Sequence, residues 1–163
     1  MELYLLRHGI AEPRQPGRAD EKRQLTEKGR ERLRAVLDVA RKAGVSPSLV
    51  FTSPYPRAAQ SAEMAAEVLG CKKVVATKAL LPGSSRETVW DEIRAHREER
   101  AILLAGHEPL LGQAASFLVG AAWVVVELKK GALVAIDIDR FDGQPRGLLQ
   151  WLLTAKLAAA CAR

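Results

Sequence analysis

The sequence predicts an α/β fold: a single-domain, three-layer α/β/α sandwich with a mixed, mostly parallel sheet. Two observations carry this. Short apolar runs alternate with segments of helical periodicity up to about Val119, and a run of strands follows without intervening helices. The length of 163 residues, with 48% hydrophobic and 27% charged residues, fits one packed core, so residues 1–163 are read as one domain.

The first strand is the apolar run Leu3-Tyr4-Leu5-Leu6, which ends on Arg7-His8-Gly9. Ala11 to Gln24, with two prolines and no apolar periodicity, is a long loop of the kind that is functional or mobile. Leu33, Val36, Leu37 and Ala40 then recur at helical spacing, with Thr26 as N-cap and Gly44 as the stop. SLVFTS is a brief buried strand, and YPRAAQSAEMAAEVLG a second helix with Pro56 in its first turn and Gly70 after its last. KKVVATKALL reads as a short strand entering a loop. Ser84 to Glu87 has capping-box spacing and opens a third helix, from about Arg86 to Glu98, that buries Val89, Trp90 and Ile93. AILLAGHEP repeats the opening arrangement of strand, glycine and histidine, with Pro109 starting a helix to about Val119. WVVVEL, ALVAIDID and GLLQWLL read as three closing strands, the last two joined through Asp142-Gly143. The alanine-rich tail reads as a frayed helical end.

Composition excludes several classes. No apolar run is long enough to cross a bilayer and no signal-peptide pattern opens the chain, so the expectation is a cytoplasmic protein without a membrane partner. Cys71 and Cys161 form no metal-ligand pattern and read as reduced thiols. The net charge of +6 favours anionic partners, but only 5% of residues are aromatic and no basic stripe carries interleaved rings, which argues against nucleic acid. Neither GxGxxG nor GxxxxGK[ST] occurs, which argues against dinucleotide and P-loop nucleotide sites.

Three places put a cationic residue where a strand or loop hands over to a helix or turn: Arg7-His8-Gly9, Arg57 in TSPYPRAAQSAE, and His107 in AGHEP. In open α/β sheets the carboxyl edge of the strands is where ligands bind. Backbone N–H groups of helix N-termini at Arg57 and beyond His107 add to the attraction for an anion, and two arginine forks suit phosphate oxygens. A neutral histidine can attack phosphorus, and a protonated one can donate to phosphate oxygens, so two histidines at one phosphate can divide these roles. His96 reads as an ordinary boundary residue, a zinc site from His8, His96 and His107 has only the residue count behind it, and RADEKR reads as a solvated loop with a possible docking role.

These segments, LYLLRHGIAE, LTEKGRERL, VFTSPYPRAAQSAE and LLAGHEPLLG, resemble the histidine phosphatase superfamily with its phosphoglycerate-mutase-like fold, and more closely its small bacterial branch of SixA-type protein phosphohistidine phosphatases. The resemblance covers essentially the whole chain. It implies that His8 is the nucleophile that becomes phosphorylated and that Arg7, Arg57 and His107 clamp the phosphoryl group. It implies neither a metal nor any other cofactor.

Larger members of the superfamily carry a lid insertion that usually contributes an acidic proton donor. Here only about thirty residues separate the second helix from the strand at Ala101, so no lid insertion is expected and the site should be open to a side chain on another protein. Imidazole, with a pKa of about 6.5, also leaves more easily than an alkoxide. Glu108 and Glu12 are the nearest candidates in sequence for a weak acid or for the base that activates water. The expected activity is therefore hydrolysis of phosphohistidine on a protein. The alternatives are a phosphatase for small phosphoesters and a non-catalytic phosphate-binding module; a mutase fits poorly without a substrate-enclosing insertion.

Overall fold

β1 (Glu2–Arg7) is the centre of the molecule, and its alternating side chains define the two cores. The computed structural model describes residues 1–121 and 123–161. β1 joins β2 (Leu49–Thr52), β3 (Val74–Ala76), β4 (Ala101–Gly106), β5 (Leu133–Arg140) and β6 (Arg146–Leu153) in one sheet of order β3-β2-β4-β1-β5-β6. The first four strands in that order run parallel, while β5 is antiparallel to both β1 and β6.

Five helices cover the sheet: α1 (Glu27–Lys42), α2 (Pro56–Leu69), α3 (Arg86–Ala95), α4 (Leu110–Leu118) and α5 (Ala155–Cys161). On one face Leu33, Val36 and Leu37 of α1 and Ala62 and Ala65 of α2 bury Tyr4, Leu6, Val50 and Leu103. On the other, Val89, Trp90 and Ile93 of α3 with Leu110 and Leu111 of α4 bury Leu3, Leu5, Phe51 and Leu104. Burying each such large apolar side chain contributes about 1.5–3 kcal/mol before entropy is counted. The period-two pattern of β1 thus feeds two separate layers, as a sheet covered on both faces requires.

The helix signals lie close to where the sequence places them. Thr26 Oγ1 accepts the Gly29 N–H at 3.0 Å, and Gly70 closes α2 in the left-handed region at φ 75°. α3 is capped by Ser85, which accepts the Thr88 N–H at 3.1 Å, one residue later than the capping-box spacing suggests; it ends at Ala95, not Glu98. The alanine-rich tail forms α5, which buries Ala158 in the core beneath α1.

One expected strand is absent. WVVVEL (123–128) forms no ladder, because both edges of β1 are already taken by β4 and β5. Its backbone groups find side-chain partners instead: Ser116 Oγ donates to the Val124 carbonyl at 2.6 Å, Glu108 accepts the Leu128 N–H at 2.8 Å, and Arg7 donates to the Leu128 carbonyl at 2.6 Å. High β-propensity describes a fit to a pleated surface, and the strands beside this segment offer none, since β1 is paired on both sides and the sheet's free edges lie at β3 and β6. Leu128 is fully buried in the core and Val126 packs against it, while Trp123 and Val125 are 97% and 91% exposed.

Candidate active site

The carboxyl ends of β1, β2 and β4 deliver the charged residues to one edge of the sheet. Arg7 pairs with Gly106 in register, so the turn after β1 and the turn after β4 lie side by side and the rings of His8 and His107 meet with centroids 5.1 Å apart. α2 begins four residues after β2 and brings Arg57 to the same point: its Nε lies 3.3 Å from His8 Nε2. Both histidines and Arg57 are buried.

The nucleophilic candidate is oriented by its own neighbour. His8 Nδ1–H donates to the Gly9 carbonyl at 2.7 Å, which fixes the tautomer and leaves the Nε2 lone pair facing the Arg57 Nε–H. The Gly9 N–H in turn donates to Ser61 Oγ at 3.1 Å, and that hydroxyl donates to the Arg57 carbonyl at 2.7 Å. Ser61 therefore ties the turn carrying His8 to the helix carrying Arg57. α1 also reaches this turn. A Cβ on Gly29 would collide with the Ile10 backbone, so only glycine allows the first turn of α1 to pack there.

His107 is held from the other side. Its Nε2 lies 2.9 Å from Ser53 Oγ, and the Tyr55 N–H donates to the same oxygen at 3.4 Å, which leaves the Ser53 hydroxyl hydrogen for His107 Nε2. On this network we assign the ring proton to Nδ1, a buried atom with no hydrogen-bond partner among the described residues. Arg7 Nε is likewise buried and unpartnered, although Arg7 Nη1 is engaged with the Leu128 carbonyl. Two unsatisfied donors at the edge of one cationic cluster match the requirements of an anion.

Burial pushes the pKa of His8 down to about 4; its hydrogen bond to Gly9 opposes this, and Arg57 and Arg7 add to it. Burial, followed by His8 and Arg57, takes His107 down to about 3. Both rings are neutral at pH 7 in the free protein, and a phosphoryl dianion between them would shift each towards protonation.

A family model for the histidine phosphatase superfamily (branch 1) matches residues 3–81. The chain is also 34% identical over 140 residues to an uncharacterized protein of Picosynechococcus sp., covering 83% of this chain and 84% of that one. The chain belongs to the histidine phosphatase superfamily. Solved structures share its fold. The protein histidine phosphatase SixA complexed with tungstate superposes with a TM-score of 0.85 at 22% identity, over 96% of this chain and 98% of that one. A SixA-type protein from Agrobacterium tumefaciens gives 0.81 at 24% identity, over 94% and 97%. The mycobacterial glucosyl-3-phosphoglycerate phosphatase gives 0.71 at 20%, over 92% and 97%.

The other charged candidates of this histidine phosphatase superfamily member separate in space. Glu108 is half-buried, where burial raises its pKa against the Leu128 N–H, Arg7 and the Gly112 N–H, and it shares a cavity of about 560 Å³ with Arg7. A Cβ on Gly112 would collide with the Val126 carbonyl, so this glycine lets α4 approach the 123–128 segment. Glu12 instead accepts the Gln24 N–H at 3.0 Å and pairs with Arg18 at 3.0 Å, both of which hold it ionised at the neck of the 11–24 loop. His96 caps α3, with its ring 4.7 Å from Phe51, and takes no part in the His8 and His107 pair.

The residue that sequence reading passes over is Asp20, inside RADEKR. It lies in a short 3₁₀ turn, where its carboxylate meets Arg57 Nη2 at 3.0 Å, Arg23 Nη2 at 2.9 Å and Arg14 Nε at 2.9 Å. Burial works against ionisation of Asp20, but Arg57, Arg23 and Arg14 hold its carboxyl below the usual carboxylate range. The charge run is therefore built into the site in part, not simply solvated. Its only sequence signal is alternating charge in a long loop, which does not reveal the long-range partner Arg57.

Proposed function

We propose that this phosphatase hydrolyses phosphohistidine on a protein, through a covalent phosphohistidine intermediate at His8. The carrying observation is the orientation of His8: Nδ1–H is committed to the Gly9 carbonyl, while the Nε2 lone pair points into the site, held only by the long 3.3 Å hydrogen bond from Arg57 Nε–H. A phosphoryl group placed there lies among Arg7, Arg57 and the Nδ1–H of His107, which neutralise the charge on its oxygens in transfer.

In the first step the His8 Nε2–P bond forms and the P–N bond to the substrate imidazole breaks, with one proton delivered to the leaving ring so that it departs neutral. In the second, water attacks phosphorus, the His8–P bond breaks, and the water proton passes to a base, giving inorganic phosphate and free His8. Glu108, with its raised pKa and its place beside Arg7, is the acid and base assigned to these steps; Glu12 is assigned to the loop. The reading of a protein substrate is supported by the short connection between α2 and β4, which holds only β3, a 3₁₀ turn and α3, and by the fold shared with a protein histidine phosphatase.

A second reading, a phosphatase for small phosphoesters, is favoured by the cavity beside Arg7 and Glu108, whose volume of about 560 Å³ accommodates a small organic phosphate. Phosphate release from a histidine-phosphorylated phosphotransfer domain, measured against an aryl phosphate with wild type and His8→Ala, tests both. Faster clearance of phosphohistidine, with His8→Ala inactive on both, supports the first reading. A preference for the aryl phosphate supports the second, and turnover of neither leaves a phosphate-binding module.

A further inference from the structure

A second groove, of about 540 Å³, opens on the opposite flank of Arg7, and its lining is basic: Arg32 from α1, Lys129 and Lys130 from the turn before β5, and Lys156 from α5. The turn is fixed to the reaction site, because the Gly131 N–H donates to the carbonyls of both Arg7 and His8, at 3.1 and 3.0 Å. Among the described residues, Lys129 pairs with Glu127 at 2.6 Å, and no carboxylate approaches Arg32, Lys130 or Lys156 within ion-pair distance. Four exposed cations from three elements thus face one groove with little internal compensation. Like charges brought together in this way oppose folding, and an anionic partner offsets that cost.

The opposite side of Arg7 has a different character. The 560 Å³ cavity there has polar walls that include Glu108 and Arg86, but its outer wall is the apolar run Val124, Val125 and Val126, and the same segment carries the exposed Trp123. A phosphoryl group held at Arg7 is therefore flanked by a cationic groove on one side and an apolar segment on the other. A nucleic acid presents phosphates on every flank, and a lipid headgroup surface is uniformly polar; neither matches this asymmetry. A folded protein surface, with acidic and apolar residues on separate sides of its modified side chain, does match it.

We infer that the groove of Arg32, Lys129, Lys130 and Lys156 docks an acidic phosphoprotein, whose carboxylates lie to one side of the phosphorylated residue and whose apolar residues lie to the other. This rests on the reading of the site as one that removes phosphoryl groups from a protein, and it names how that protein is selected. The cations sit on flexible stems at the rim, so their contribution appears in encounter and KM, and it is screened by salt.

The test uses the full chain and a histidine-phosphorylated phosphotransfer domain whose phosphohistidine is flanked by Asp and Glu, with an aryl phosphate read in parallel. The triple variant R32E/K130E/K156E is expected to lose about 30-fold in kcat/KM on the domain, mainly through KM, while aryl phosphate turnover stays within about twofold. Raising salt should narrow that gap, and the single variants K130E and K156E should each show part of the loss. Domain turnover unchanged in the triple variant overturns the docking surface and leaves the proposed function standing. Equal loss on both substrates also overturns it, since the cations would then serve the phosphoryl pocket or the fold. Wild type that clears the aryl phosphate but no phosphohistidine domain overturns the proposed function and this inference together. Stronger competition from duplex DNA or anionic vesicles than from the unphosphorylated domain assigns the groove to those partners instead.

Discussion

Arg57 is shared between His8 and Asp20: its Nε–H points to His8 Nε2 at 3.3 Å, while Nη1 donates to the Asp20 carbonyl at 2.7 Å and Nη2 to its carboxylate at 3.0 Å. The planar fork is thereby held at one end by the 11–24 loop and offers its other end to the reacting centre. Asp20 is a positioning residue on this geometry. Asp20→Asn keeps the shape but weakens the grip on Arg57, and misplacement of one phosphoryl clamp is costly in transfer chemistry. The expected outcome is a loss of about tenfold in kcat, with the dissociation constant for inorganic phosphate tightened, because a competing carboxylate charge is gone. Steady-state kinetics and phosphate titration check it. A merely structural Asp20 would move stability and leave both constants as in wild type.

The buried histidines make both activity and stability depend on pH in a stated direction. With His8 at about 4 in the free enzyme, the nucleophile stays neutral well below the ordinary histidine range, so the acid limb of kcat/KM attributable to it should fall near 4 and not near 6.5. The stability sign follows from proton uptake. Between pH of about 6.5 and 4 the unfolded chain protonates both histidines while the native state does not, so stability is full above the unfolded pKa and declines as pH falls through that window. The decline levels off once the folded pKa values of about 4 and about 3 are passed. Denaturant midpoints at pH 7 and pH 4.5 should separate by less in His107→Gln than in wild type, which isolates the histidine contribution from that of the carboxylates.

The legible part of this protein was the part written locally. Thr26, Gly70 and the apolar spacing of α1 and α2 reveal helices because capping and periodicity act over a few residues. Arg7, His8, Arg57 and His107 stand at strand ends, and a mostly parallel sheet gathers strand ends at one edge, so their convergence follows from topology. What escaped was non-local. The 123–128 run has strand composition, but its fate is decided by β1 being paired on both sides and by Arg7, Glu108 and Ser116 as partners. Asp20 escaped for the same reason: 37 residues of sequence separate it from Arg57.

Ser61 links the two halves of the site, and its removal should be felt in stability first. It is fully buried, and Ser61→Ala leaves the Gly9 N–H without its acceptor in a place water does not reach. An unsatisfied buried donor costs about 1–3 kcal/mol. The expected result is a lowered denaturant midpoint of that size with an unchanged m-value, together with reduced kcat, since the His8 turn and α2 lose their direct tie. Ser61→Thr, which retains the hydroxyl, tests whether the hydrogen bond or the tight packing carries the effect.

Glu108 separates two kinds of leaving group. It is half-buried beside Arg7, with its pKa raised by burial, so it can hold a proton more readily than the ion-paired Glu12, whose carboxyl is held ionised. An alkoxide leaves only with strong assistance from an acid, whereas an imidazole leaves neutral after receiving one proton and needs less. Glu108→Gln should therefore cost about 100-fold in kcat on an alkyl phosphate, and under about tenfold on phosphohistidine. Glu12→Gln, acting only on the loop neck, should leave the ratio of the two substrates unchanged. Rates for alkyl, aryl and phosphohistidine substrates in wild type and both variants check this. A loss in Glu108→Gln that is the same for every leaving group would place Glu108 in the support of Leu128 and Arg7, not in proton transfer, because a carboxylate that only orders the pocket cannot sense the basicity of what departs.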